Sequence, residues 1–404
     1  MSAARRRVSI ALTLALGCSH GPLWRSPQDQ EQTVELWGKL AERYADRSIV
    51  AGYDLLNEPI PDGDEKLVAL YQRIIRRVRS VDSAHLVLVE GSRFATRFSA
   101  FTTPLDGNQA YSFHLYTFFG GDPEAATRDY LPLSRAQGLP LWNGEYGENS
   151  YEAIGKTVAA FRKAEQEDWM SGSGYWTWKH ALPQRAPVLA GFETGDGWKK
   201  VISWLAGGGD APSREEALAA MDDFLMRARV DRCSVDERMA ALLKPPTQPR
   251  WPGRQGGFVH RNAAALVDGA GQRLQLDGVN LGGWLLWEAW IWGAPLSVLH
   301  LKEQSQGSIL ARLSSLVGPE ATRAFEGRVY HELIDEKDIE RIASLGFNVV
   351  RVPIGARTLA NGGWEVLDHL LDAAERNAVY VVLDLHGAPG GQSPYFIADP
   401  RLEP

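Results

Sequence analysis

Two rhythms of apolar and polar positions alternate along this chain. From Gln28 to Ser48, apolar residues (Val34, Leu36, Trp37, Leu40, Ala41, Tyr44) recur at helical spacing. Short apolar runs then alternate with longer amphipathic ones. The runs Ile49–Leu56, His85–Glu90, Tyr111–Leu115, Pro140–Glu145 and Gly174–Trp178 predict strands. Between them, Asp64–Val81, Asp122–Gln137 and Tyr151–Asp168 predict helices, and Trp198–Leu205 predicts a shorter one. A break follows at Gly207-Gly208-Gly209. Beyond it, Arg214–Arg229 and Val235–Leu243 read as helices, and Lys244-Pro-Pro-Thr-Gln-Pro249 reads as a connector. Phe258–Val267 and Gln272–Leu276 flank the turn-like Asp268-Gly-Ala-Gly271 and predict a hairpin. The alternation then resumes, with strands at Asp277–Leu281, Asn348–Pro353 and Tyr380–Leu385 and helices at Glu336–Ser344 and Trp364–Asn377. Five strands before the connector and three after it make eight, the number that closes a TIM (β/α)8 barrel. No internal repeat is visible, so the two halves complement rather than duplicate each other.

The start of the chain belongs to a different pattern. Arg5-Arg6-Arg7 precede the apolar run Val8–Gly17, which ends at Cys18. This predicts a signal peptide over residues 1–22 and hence an exported protein. Leu14-Ala15-Leu16-Gly17-Cys18 also resembles a lipoprotein cleavage box, which would put a lipid anchor on Cys18; ordinary cleavage is the alternative. The expected domain is then one barrel over residues 23–404. It is made of 23–209, a helical and Pro-rich linker at 210–256, and 257–404. The net charge of −7, from 43 Lys and Arg against 50 Asp and Glu, argues against a nucleic-acid groove. With two cysteines, a disulfide scaffold and a four-cysteine zinc site are excluded. No His-Glu-x-x-His-like spacing suggests a metal, and no glycine-rich stretch has phosphate-loop context, so no cofactor is expected. The 14 Trp, 12 Tyr and 13 Phe suit either a packed core or the flat faces of sugars.

Two glutamates stand out by position. Tyr53-Asp-Leu-Leu-Asn57-Glu58-Pro59 and Leu139-Pro-Leu-Trp-Asn-Gly-Glu145-Tyr146-Gly147-Glu148 are both apolar strands ending in a carboxylate. In a parallel barrel the C-terminal strand ends form the active face. Paired there, one carboxyl can protonate a leaving oxygen while the other attacks or stabilises an oxocarbenium-like centre. Glu148 is read as a solvated surface group.

These motifs resemble those of glycoside hydrolase family 5, the cellulase family. Asn57-Glu58-Pro59 resembles its acid/base motif and Gly144-Glu145-Tyr146-Gly147 its nucleophile motif. Gly346–Pro353 resembles its second strand, with the active-site Arg351, and Val382–Gly390 its third, with His386. Phe113-His114-Leu115-Tyr116 resembles the sixth strand and Gly174–Lys179 the eighth. Gly278–Glu288 is similar to the first strand, most like that of the exo-β-1,3-glucanase branch. The family runs from first strand to eighth, whereas this chain presents the fourth to eighth and then the first to third. It therefore reads as a circularly permuted barrel, cut in the loop after the third strand. The rival reading joins the tail half of one enzyme to the front half of another.

The resemblance implies a retaining hydrolase of β-1,3- or β-1,4-glucan, with a β-glucan or oligosaccharide as its partner. It makes Glu58 the acid/base and Glu145 the nucleophile, the latter kept ionised by Arg351 and Tyr116, with the two carboxyl groups about 5 to 5.5 Å apart. Asn57 would hold the sugar 2-hydroxyl, His386 and His114 would hold hydroxyls or orient the carboxylates, and Trp176 would stack under the sugar. Trp178 belongs to a supporting layer or the core. Glu288 would bind hydroxyls, and Trp287, Trp290 and Trp292 either wall a further subsite or fill the core. The competing class is a non-catalytic carbohydrate-binding protein or an inactive rearranged half-barrel.

Overall fold

The computed structural model describes residues 20–118, 120–182, 186–246, 249–294 and 304–401. Cys18 and the expected signal segment up to residue 19 lie outside them, as do Thr247 and Gln248 of the connector. Eight parallel strands form a closed barrel: β1 (Val50–Asp54), β2 (Leu86–Glu90), β3 (Gln109–Leu115), β4 (Leu141–Tyr146), β5 (Met170–Tyr175), β6 (Gly278–Asn280), β7 (Val349–Gly355) and β8 (Tyr380–Gly387). Each strand pairs with its chain neighbours, and β1 closes the circle against β8 through Val50↔Val381 and Asp54↔Asp384. Every residue of these strands is buried. Burial on both faces is why the strands read as continuous apolar runs rather than as alternations.

Helices pack outside. Pro27–Tyr44 opens with Ser26 capping the Asp29 amide, and Glu336–Ser344 opens with a capping box from Asp335. The far end of the barrel is plugged by a small antiparallel sheet, His260–Asn262, Ala265–Val267 and Arg273–Leu274. Its Leu266 and Leu274 join Ala51, Leu88, Trp142 and Val382 in one apolar cluster that shuts the bottom.

Several elements differ from the pattern-based expectation. The expected hairpin has three strands. Asp122–Gln137 is two short helices, Pro123–Arg128 and Leu131–Gln137, because Pro132 is compatible only with the first turn of a new helix. The fifth strand ends at Tyr175 instead of Trp178, since Trp178 N donates to Asn280 O at 2.9 Å outside the ladder. Val235 lies in the two-residue strand Ser234–Val235, and the next helix starts at Glu237, capped by Asp236. Helices Gln306–Val317 and Pro319–Glu332 fill a stretch for which no element was predicted; Gly318-Pro319 interrupts the periodicity between them. Among the described residues, no helix is long and apolar enough to cross a membrane.

Candidate active site

The carboxyl ends of β1, β3, β4, β7 and β8 converge on one buried polar cluster. Arg351, on β7, is completely buried and organises it. Its Nε donates to Asp54 Oδ2 (3.0 Å), one terminal nitrogen to Glu145 Oε1 (2.7 Å) and Asn280 Oδ1 (3.1 Å), and the other to Asn57 Oδ1 (2.9 Å) and Glu90 Oε1 (3.1 Å). Asp384 lies 3.2 Å from the same fork. Burial opposes its charge, but Asp384, Asp54, Glu145 and Glu90 hold the guanidinium well above its usual range. A planar, permanently charged fork is the side chain that can serve so many acceptors at once.

Glu145 ends β4 and accepts the Tyr116 hydroxyl at 3.0 Å besides Arg351. Burial pushes its carboxyl up, yet His114 and Arg351, with His386 and Tyr116, hold it below the usual carboxylate range. Arg351 and Tyr116, the two residues expected to attend this carboxylate, both contact it, and His114 stands beside them. The register His114↔Glu145 between β3 and β4 sets the histidine beside it. His114 Nδ1 is 2.9 Å from Glu58 Oε1 and 3.5 Å from Glu145 Oε2, and Nε2 is 3.2 Å from Glu90 Oε1. Burial disfavours a charged ring, but Glu145 and Glu90 raise the His114 pKa well above that of a free imidazole.

Glu58 sits just past β1 with a backbone φ of 45°, in the left-handed region that non-glycine residues rarely adopt. Glu90 Oε2 accepts the Glu58 N–H at 2.7 Å and holds that turn. One carboxylate oxygen of Glu58, one of Glu145 and a ring nitrogen of His114 lie within 4.8 Å of one another. Two carboxylates and an imidazole at such distances could surround a metal, and linear spacing concealed the grouping. His114 Nδ1, at 2.9 Å from Glu58 and 3.5 Å from Glu145, also stands where it can share a proton with the two carboxyl groups.

Asn57 bridges Arg351 and His386. With its oxygen facing Arg351, its amide donates to His386 Nε2 (3.1 Å), which leaves the proton on Nδ1, facing Asp384 Oδ2 (2.6 Å). Gln392 fastens the group by donating to Asn57 O (2.8 Å) and His386 O (2.7 Å). Trp176 stacks on His386 at 5.5 Å and 17°. Gly282 lies beneath Trp176, and a Cβ there would come 2.8 Å from the indole. Glu288 is buried and accepts Trp290 Nε1 at 2.8 Å, while its Oε1 has no partner. Burial pushes the Glu288 carboxyl up to about 7.

All nine residues expected at the site (Asn57, Glu58, His114, Tyr116, Glu145, Trp176, Glu288, Arg351 and His386) belong to this cluster or its immediate surroundings. Trp178 is buried and donates to Asp338 Oδ1 at 2.7 Å, in the supporting layer. Trp287 and Trp292 lie in the apolar core, their rings 4.7 Å apart, and Trp292 Nε1 donates to Gly283 O, so neither walls a subsite. Trp290, half-buried, stays with Glu288. The solvated reading of Glu148 is wrong: it is buried and accepts the Thr117 amide (2.8 Å) and hydroxyl (2.6 Å). Asp54, Glu90, Asn280 and Asp384 were missed. A signal was there, because each interrupts an otherwise apolar strand near its carboxyl end.

Fold and site together define a (β/α)8 barrel with two close carboxyl groups on its active face. Residues 17–181 match the model of the family described as "Cellulase (glycosyl hydrolase family 5)". Similar proteins include a β-xylosidase of Phanerodontia chrysosporium, 35% identical over 31% of this chain and 30% of that protein. A glucan 1,3-β-glucosidase of Blumeria graminis is 34% identical over 30% of this chain and 29% of its own length. Among solved structures, an endoglucanase covers 38% of this chain and 60% of its own, with 17% identity and a TM-score of 0.33. The endo-glycoceramidase II from Rhodococcus sp. covers 38% and 42%, with 25% identity and a TM-score of 0.33. The chain thus spans about three tenths of the length of the relatives it matches in sequence. Part of the chain is thus similar to glycoside hydrolase family 5, and glucan 1,3-β-glucosidases are among the proteins it resembles.

Proposed function

We propose that this protein is a retaining glycoside hydrolase that cleaves β-glucosidic bonds in a β-1,3- or β-1,4-glucan or its oligosaccharides. The observation that carries this reading is the pair Glu58 and Glu145, which bring carboxylate oxygens within 4.8 Å of each other, one of them held ionised. That closeness supports the retaining arrangement, whose carboxyl groups are about 5–5.5 Å apart, over the wider separation of an inverting enzyme.

In the first step, Glu145 Oε attacks the anomeric carbon while Glu58 donates its proton to the departing glycosidic oxygen. The C–O bond breaks and a glycosyl ester forms on Glu145. In the second, Glu58, now a base, takes a proton from water as the water oxygen attacks the same carbon and releases Glu145. Asn57 holds the 2-hydroxyl, Trp176 carries the sugar face, and Glu288, His386 and His114 hold hydroxyls or orient the acids. Glucan 1,3-β-glucosidases among the relatives support a glucan as substrate. The basic, then apolar, segment Arg5–Cys18 supports export, and the cleavage-box-like run ending at Cys18 supports a lipid attachment there.

Assays on laminarin, carboxymethyl-cellulose, mannan and aryl β-glucosides test the reading, with proton NMR following the anomer released first. Glu58→Gln and Glu145→Gln should each lower the rate by at least about a thousandfold. Unchanged turnover in either variant, or release of the inverted anomer, overturns the assignment.

A further inference from the structure

The motif Gly144-Glu145-Tyr146-Gly147-Glu148 carries a second buried carboxylate that the proposed chemistry does not use. Glu148 Oε1 accepts the Thr117 amide at 2.8 Å and its hydroxyl at 2.6 Å, and the Thr157 hydroxyl lies at 3.5 Å. Thr117 is joined to Tyr116, the residue that donates to Glu145 at 3.0 Å. The loop after β3 is therefore tied at two neighbouring residues to the end of β4 and the loop that follows it, by Tyr116 on Glu145 and by Thr117 on Glu148. Between the ties lies Gly147, where a Cβ would be 3.5 Å from the Tyr116 ring and 3.1 Å from Trp176 O.

We infer that Glu148 is a positioning residue that acts through Thr117 to hold the Tyr116 hydroxyl on Glu145. A buried carboxylate is costly without donors, and this one gathers hydroxyl and amide donors from the loop after β3 and from helix Tyr151–Gln166. Only one rotation of the Thr117 peptide presents both its N–H and its Oγ1 to a single oxygen. That rotation sets the direction in which Tyr116 leaves the backbone. The inference rests on the proposed role of Glu145, but its geometry can be tested without that role.

Two measurements test it. In a crystal structure of Glu148→Ala, Tyr116 Oη should move beyond hydrogen-bonding distance of Glu145 or lose its single position. An Oη still about 3 Å from Glu145 overturns the inference, whether or not the protein is active. In kinetics, Glu148→Ala should lower kcat/KM about tenfold, the size of one lost hydrogen bond to a charged group, and move the acid limb of its pH profile upward. Glu148→Gln keeps an acceptor for both Thr117 donors and should recover most of the loss. In a Tyr116→Phe background, Glu148→Ala should change kcat/KM by less than about twofold, because its target is already gone. Full additivity of the two substitutions, or no recovery by glutamine, overturns the inference. Wild-type protein inert on every β-glycoside, with Tyr116 displaced in the Glu148→Ala crystal, would count against the hydrolase reading while upholding the tie.

Discussion

Arg351 shows how much one side chain decides in this site. Four carboxylates and two side-chain amides face its guanidinium, and it has no exposure at all. The register that places Asp54 directly beside Asp384 would set two like charges together, and the fork stands between them. Even so, burial and Glu90 push Asp54 up to about 7. Removing Arg351 would take from these buried carboxylates the guanidinium that pairs all four, and breaking a comparable buried pair costs about 3–5 kcal/mol. Arg351→Met should therefore lower the unfolding free energy by about that amount and abolish turnover. Arg351→Lys should keep part of the stability but lose the rate, because an ammonium is a point charge that cannot reproduce the fork. Denaturant titration beside kcat/KM separates the two effects.

At the scale of elements, the helix Tyr151–Gln166 and the segment leading into β6 meet over a second buried charge group. Arg162 reaches Glu165 and Asp277 with the same nitrogen, both at 2.8 Å, while Glu165 Oε1 and Asp277 Oδ1 have no partner. One cation between two buried acids is too little. Burial, and then Asp277, push the Glu165 carboxyl up to about 8, above its value in an unfolded chain. The folded state therefore holds this proton more tightly than the unfolded state does. Its contribution is fully present below the unfolded pKa and is lost as pH rises toward 8. Glu165→Gln, which cannot ionise, should be less sensitive than wild type between about pH 5 and pH 8 in denaturant midpoint. Equal slopes for the two proteins would show that Glu165 ionises freely in the fold. The helix itself was readable from its apolar positions, but nothing in linear order pairs Glu165 with Asp277.

For the whole molecule, the question is whether the two halves make one barrel. They do so by strand pairing at two seams, β5 with β6 and β8 with β1. Ion pairs of Arg43 with Asp368 and of Arg47 with Asp372 and Glu375 cross the second seam. An exposed pair such as Arg43–Asp368 contributes about 0–1 kcal/mol, so the buried ladder and core supply most of the cohesion, with the more enclosed Arg47–Glu375 pair adding to it. Segments at the two ends of the described chain lie against each other. Leu23 N donates to Gly391 O at 3.1 Å, Trp24 Nε1 donates to Gln392 O at 2.7 Å, and Arg401 pairs with Asp29. We propose that the family's strand order has been circularly permuted here, with the fourth strand placed first. A chain rearranged to run from residue 257 to 401, through a short linker, into 22 and on to 245 should fold to the same barrel with the same pH profile. Circular dichroism and kcat/KM would check this, and a rearranged chain that stays unfolded would refute it.

Much of this could be read from the linear pattern. Eight buried strands announce themselves as apolar runs, and a polar residue closing such a run must point into the barrel mouth. That is why Glu58 and Glu145 stand out by position, whereas His114, Arg351 and His386 come from the resemblance of their strands to the motifs of glycoside hydrolase family 5. Local rules end where partners are chosen. Which acid Arg351 neutralises, which proton His114 shares, and that Glu148 turns inward to Thr117 while Trp287 and Trp292 withdraw into the core all depend on distances between strands remote in sequence. Those distances exist only once the barrel has closed. Coulombic and hydrogen-bond energies then fall off over a few ångströms, so the folded geometry alone chooses among chemically equivalent side chains.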